Sequence, residues 1–124
     1  MVIGIGIDII EIDRIKSSIE TYGDKFLSKI YTPVEIEYCN SKANKFQHFA
    51  ARFAAKEAVF KALGTGWIGK LKWNEIEVRN EVLGKPEINL YGTVLELSHK
   101  KGIHGISLSL SHCREYAVAM VLLT

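Results

Sequence analysis

From Val2 to Ile9 the chain is almost continuously apolar and rich in isoleucine, interrupted only by Gly4, Gly6 and Asp8. The run predicts a buried strand whose glycines let another backbone or a ligand come close. Ile15 and Ile19, four apart, then predict a short helix over Asp13 to Tyr22 that ends at Gly23. Thr32-Pro33-Val34-Glu35 carries the signature of a capping box, with proline at the first helical position. A long helix follows from Lys45 to Leu63 and stops at Gly64. Trp73 to Arg79 and Pro86 to Tyr91 read as strands joined by a turn over Asn80 to Lys85. A further helix covers Gly92 to Lys101 and stops at Gly102. Ile106, Leu108 and Leu110 alternate with Ser107, Ser109 and Ser111, and Tyr116 to Leu123 is apolar at nearly every position. These last two runs predict a hairpin, turned around Cys113-Arg114, whose final strand is central. The pattern as a whole is α+β, with helices packed on a mostly antiparallel sheet.

Length and composition narrow the function. The 124 residues, 48% hydrophobic and 24% charged, suit one domain spanning 1–124 and exclude disordered, collagen-like and disulfide-scaffold classes. No apolar run approaches the roughly 20 residues of a membrane span, and the start lacks a basic region before its apolar one. Cys39 and Cys113 have no metal-ligand spacing and read as free thiols, so a cytoplasmic location is expected. The total charge of +2 says little. Residues 40–61, however, hold five basic residues and one acidic, whereas residues 1–39 carry a net −3. The partner of that basic segment is expected to be anionic.

The anomaly lies on the long helix. Phe46, Phe49, Phe53 and Phe60 define an apolar face, and at about 100° per residue Glu57 falls roughly 40° from Phe53, with Lys61 about 80° away. A carboxylate beside an aromatic stripe must be paired, hydrogen-bonded or bound to a cation. One reading is an ion pair between Glu57 and Lys61 along the helix. The other adds Asp8 as a second carboxylate, although Asp8 alone could cap the turn after its strand. Two carboxylates with water and phosphate oxygens suit Mg²⁺, and Arg52, Lys56 and Lys61 suit a polyphosphate. For Lys56 a solvated helix face is the more economical reading.

Two motifs are set aside. Gly64-Thr65-Gly66-Trp67-Ile68-Gly69-Lys70 matches phosphate-loop patterns but follows a helix instead of a strand, and Leu71 stands where a P-loop has Ser or Thr. A flexible glycine-rich loop near a ligand remains. Ser111-His112 lacks an elbow motif and an orienting acid, so His112 reads as a strand-end residue or phosphate contact. His48, His99 and His104 read as surface or structural.

The segments Gly4 to Ile15 and Arg52 to Gly66, followed by Gly84-Lys85-Pro86 and Ser109 to His112, resemble the signature blocks of a known family in the same order. It is the small 4′-phosphopantetheinyl transferases of the bacterial holo-acyl-carrier-protein synthase type, and the resemblance covers essentially the whole chain. It implies transfer of 4′-phosphopantetheine from coenzyme A to a serine of apo-acyl carrier protein, releasing adenosine 3′,5′-bisphosphate, in support of fatty acid biosynthesis. By resemblance, Asp8 and Glu57 hold Mg²⁺ and Lys61 contacts the diphosphate. Arg52, Gly64, Thr65, Gly66, Lys85, Pro86, Ser111 and His112 line the coenzyme A site. A homotrimer with sites shared between subunits is implied, with Arg14 facing the carrier protein. Where relatives often carry several arginines after the first helix, this chain has Lys25 and Lys29, which keep the charge but lose the bidentate fork. Glu57, or a water it orients, is expected to take the serine proton. Two rival readings are a module that binds nucleic acid through residues 40–61, which explains neither Asp8 nor Glu57, and a non-catalytic subunit that keeps the fold.

Overall fold

Strand β1 (Gly4–Glu11) runs directly into helix α1 (Ile12–Tyr22), and α2 (Asp24–Ile30), α3 (Pro33–Asn40) and α4 (Lys45–Leu63) follow in a computed structural model that describes residues 1–64, 70–81 and 83–124. A 3-10 turn over Trp73–Glu75 leads into β2 (Ile76–Asn80), which pairs antiparallel with β3 (Pro86–Leu90). Helix α5 (Gly92–Lys100) precedes β4 (Ile106–His112) and β5 (Tyr116–Leu123). The strands form two antiparallel sheets, β1-β5-β4 and β2-β3. Both predicted hairpins are present and the last strand is central to its sheet. The α+β class is as the pattern indicated.

Local chemistry explains the helix ends. The Thr32 hydroxyl accepts from the Glu35 backbone N–H at 3.3 Å, and the Glu35 carboxylate accepts from the Thr32 N–H at 2.9 Å. Helix α4 stops at Gly64, whose left-handed conformation (φ 75°) lets its N–H reach the Lys61 carbonyl. Between these ends α4 is the centre of the molecule, packed on β1 and β5. Its alanines allow this: Ala50, Ala54, Ala55 and Ala58 are fully buried beside Phe49 and Phe60. The aromatic stripe is therefore only part of a helix buried around most of its circumference.

The structure corrects the reading of β1. Its two faces differ: Gly6 and Ile10 are buried against α4, while Ile5, Ile7 and Ile9 are 61%, 59% and 65% exposed. The physical reason is that α4 covers one side of this edge strand and none of the other described residues covers the other. The glycines do serve close approach. A Cβ on Gly4 would lie 2.1 Å from the Ala62 carbonyl oxygen, and one on Gly6 would lie 1.9 Å from that of Ala58.

Two further features differ from expectation. Helix α2 was not anticipated; Gly23 ends α1 and caps α2 at once, and Phe26, Leu27 and Ile30 pack into the core. Lys56 does not lie on a solvated face. It is fully buried, its ammonium 2.7 Å from the Glu35 carboxylate and also donating to the Trp73 and Ile76 carbonyls. Glu35 further accepts from the Val78 N–H at 2.9 Å. One buried pair thus ties α3, α4 and β2 together. Burial lowers the Lys56 pKa and Glu35 opposes that shift. Burial also pushes the Cys39 thiol up to about 12, which leaves it inert, whereas Cys113 is exposed.

Candidate active site

Asp8 sits in the middle of β1, opposite Ala119 of β5, on the face that meets α4. It does not cap a turn, because β1 continues to Glu11. The close packing of Gly4 and Gly6 on α4 brings Asp8 level with the last two turns of that helix. Lys61 accordingly reaches across to the strand, its ammonium 2.9 Å from Asp8 Oδ1 and 3.0 Å from the Ile7 carbonyl. That contact replaces the Glu57–Lys61 pair along the helix as the ion pair Lys61 makes.

Glu57 lies one turn earlier. Burial and the charge of Asp8 push its carboxyl above the usual glutamate range, and Lys61 opposes the shift. Asp8, Glu57, Arg14, Ser18, Phe26 and Phe53 line one cavity of about 240 Å³. Phe53 is held there by stacking on Trp73, with ring centroids 5.0 Å apart. Lys25 and Lys29 are exposed on α2, which also supplies Phe26 to the cavity.

The carboxylate pair fits Mg²⁺. Asp8 and Glu57 line the same cavity, burial and then the Asp8 charge disfavour the ionised form of Glu57, and a single lysine, Lys61, pairs with Asp8. Among the described residues no cluster of three or more His, Cys, Asp or Glu side chains is assembled. A hard cation that keeps water and takes substrate oxygens matches that sparse donor set.

A second cavity, of about 210 Å³, gathers Arg52, His48, Asn80, Gly84, Pro86 and His112. Arg52 is only 2% exposed. Its Nη2 donates to Asn80 Oδ1 at 2.6 Å, and the guanidinium lies over Tyr38, 4.4 Å from the ring centroid. Its Nε is buried with no hydrogen-bond partner among the described residues. His48 packs edge-on against the same Tyr38 ring. Burial, then Arg52, Lys42 and His112, lower its pKa.

The cavity omits some expected residues. Lys85 is exposed on the turn beside it, and Ser111 lies in an adjoining shallow groove with Cys113, Tyr116 and Val118. Gly64 closes α4, while Thr65 and Gly66 fall outside the described residues. Sequence reading missed Tyr38, His48 and Asn80. The spacing of His48, Arg52 and Lys56 at successive fours, which puts them on one side of α4, was the available signal.

Arg52 and Glu57 are five residues apart, so about 140° separates them around the helix. The two cavities accordingly open on different sides of α4 and share no lining residue.

The structure thus sets a carboxylate pair and a lysine on one side of α4 and a separate cationic cavity on another. The chain belongs to the 4′-phosphopantetheinyl transferase superfamily, whose family model matches residues 4–121. A holo-(acyl-carrier-protein) synthase of Solibacter usitatus (strain Ellin6076) is 50% identical, covering 99% of this chain and 98% of its own. The crystal structure of the Neisseria meningitidis holo-(acyl-carrier-protein) synthase is similar with a TM-score of 0.90 and 36% identity, covering 100% of this chain and 99% of that one. The Helicobacter pylori enzyme of the same description, solved in complex with coenzyme A, gives 0.86 and 33%, covering 97% and 99%.

Proposed function

We propose that residues 1–124 form one transferase domain that moves 4′-phosphopantetheine from coenzyme A to a serine of apo-acyl carrier protein. The observation that carries this reading is that Asp8 and Glu57 line one cavity while Asp8 also holds the Lys61 ammonium, in a chain of this family. The serine hydroxyl attacks the phosphorus next to pantetheine in line. The bond from that phosphorus to the oxygen bridging the diphosphate breaks, and adenosine 3′,5′-bisphosphate leaves with the electron pair. Asp8 and Glu57 hold Mg²⁺, which when bound supplies charge neutralisation on the diphosphate. Lys61, already held by Asp8 and the Ile7 carbonyl, places a fixed ammonium against the same charge. Glu57 accepts the serine proton directly or through a water it orients.

The remaining anion of coenzyme A, its 3′-phosphate, suits the cavity of Arg52, His48 and His112. A single protomer offers the two cavities on different sides of α4, so we assign them to one substrate bound between neighbouring protomers of a homotrimer. The exposed Ile5, Ile7, Ile9 and Met120 supply an apolar face for that contact. Arg14 at the catalytic cavity and Lys25 and Lys29 on α2 meet the acidic carrier protein. A cytoplasmic role in fatty acid biosynthesis accords with this chemistry. No helix among the described residues is long and apolar enough to cross a membrane.

The nucleic-acid alternative loses its ground. Of the basic residues in 40–61, Arg52 and Lys56 are buried, Lys61 is paired with Asp8, and Lys42 and Lys45 lie over aromatic rings. Mass spectrometry of apo-acyl carrier protein after incubation with coenzyme A and Mg²⁺ tests the proposal. A pantetheinylated product supports it, and an unchanged carrier protein would mean a non-catalytic subunit. Coenzyme A with Mg²⁺ is also expected to raise the melting temperature, whereas RNA is not.

A further inference from the structure

Asn80 ends β2 and faces Pro86 across the hairpin register. Its side-chain amide joins two walls of the second cavity. The oxygen accepts from Arg52 Nη2 at 2.6 Å, and the nitrogen donates to the Gly84 carbonyl at 3.0 Å. Gly84 is in a positive-φ conformation (87°), and its own N–H donates to the Glu81 carbonyl, so the turn is already built to present that carbonyl. Arg52 is nine-tenths buried and more, with Nε unpartnered among the described residues, and Tyr38 and Asn80 are what hold it. Tyr38 fixes the plane of the guanidinium and Asn80 fixes its position along the helix-to-sheet direction.

We propose that Asn80 is a positioning residue for substrate recognition. It sets both the placement of the Arg52 charge and the distance from that charge to the 84–86 turn. The ligand is the adenosine bisphosphate end of coenzyme A, and to that extent the inference rests on the function proposed above. Only an amide of this length does both tasks. A carboxylate in its place keeps the Arg52 contact, neutralises the guanidinium and turns an oxygen toward the Gly84 carbonyl. An apolar isostere loses both bonds.

The test combines calorimetric titration of the full-length protein with adenosine 3′,5′-bisphosphate and steady-state kinetics with coenzyme A, Mg²⁺ and apo-acyl carrier protein. Asn80→Leu is expected to weaken bisphosphate binding about tenfold and to raise KM for coenzyme A to match, with kcat within about twofold of wild type. Asn80→Asp, which retains one bond and guards against a misfolded leucine variant, is expected to show the same split at a near-normal melting temperature. If Asn80 acts through Arg52, adding Asn80→Leu to Arg52→Met changes affinity by less than about twofold beyond Arg52→Met alone. Unchanged binding in both Asn80 variants, a fall in kcat with KM unaltered, or losses that multiply in the double variant would overturn the inference. Arg52→Met that binds the bisphosphate as wild type does would instead overturn the assignment of the cavity, and the inference with it.

Discussion

Gly6 lies against Ala58 so closely that a Cβ on the glycine would sit 1.9 Å from the Ala58 carbonyl oxygen. The obstacle is helix backbone, which cannot swing aside as a side chain can. Gly6→Ala is expected to cost about 3 kcal/mol in chemical denaturation. Whatever protein remains folded is expected to turn over more slowly, because β1 must move off α4 and carry Asp8 away from Lys61. Full stability in this variant would show that the strand and helix have slack.

Glu57 presents a trade between stability and chemistry. Its charged form is disfavoured in the fold by burial and by Asp8. Glu57→Gln is therefore expected to melt at or slightly above the wild-type temperature while losing about a thousandfold in turnover. Near-normal turnover would remove Glu57 from the mechanism.

The Lys56–Glu35 pair is buried on both sides. Lys56→Met leaves the Glu35 carboxylate without its cation and is expected to destabilise the protein by about 3–5 kcal/mol. Adding Glu35→Gln is expected to restore part of that loss, since the uncompensated charge is gone. Equal stability of single and double variants by urea titration would contradict this.

His48 links the second cavity to pH. Burial, Arg52, Lys42 and His112 hold its folded pKa below the usual histidine value, so the unfolded chain binds the proton more readily. Its contribution to stability is present above the unfolded pKa and is lost as pH falls toward the lowered folded value. Melting curves of wild type and His48→Gln are expected to differ in slope between about pH 7.5 and about pH 5.5, with the wild type losing more on acidification. Parallel slopes would mean that His48 is free to protonate in the fold.

The outer face of β1 tests the proposed assembly. Ile5, opposite Leu122 in the sheet, is exposed and touches neither cavity. Ile5→Lys is expected to shift the protein from trimer to monomer in light scattering and to lower activity with it, if each site spans two protomers. A monomeric wild-type protein with full activity would refute the shared site.

How far the sequence could be read depended on how local each interaction is. The capping box of Thr32 and Glu35 spans three residues, and the end of α4 at Gly64 is set by one backbone conformation; both were legible. That Asp8 and Glu57 belong together, as their shared cavity has them, was visible because each carboxylate interrupts an apolar pattern. Which of them Lys61 would meet was not, since a neighbour four residues back on the helix competed with one 53 residues away. Lys56 misled for the same reason, its partners being 17 to 21 residues distant. Helix α2 carries only seven residues, too few for a clear period. The exposure of Ile5, Ile7 and Ile9 could not be told from burial, because composition does not record how many sides of a strand are covered.

The alternation along β1 makes folding and activity answer to the same pairing. Glycines 4 and 6 and Asp8 face α4, while isoleucines 5, 7 and 9 face outward. A slip of one residue against β5 would drive isoleucine side chains into the helix carbonyls and turn the Asp8 carboxylate away from Lys61. A misregistered chain therefore could not survive as a folded but inactive protein. The strand acts as its own proofreader, and any molecule that packs correctly has already set its carboxylate.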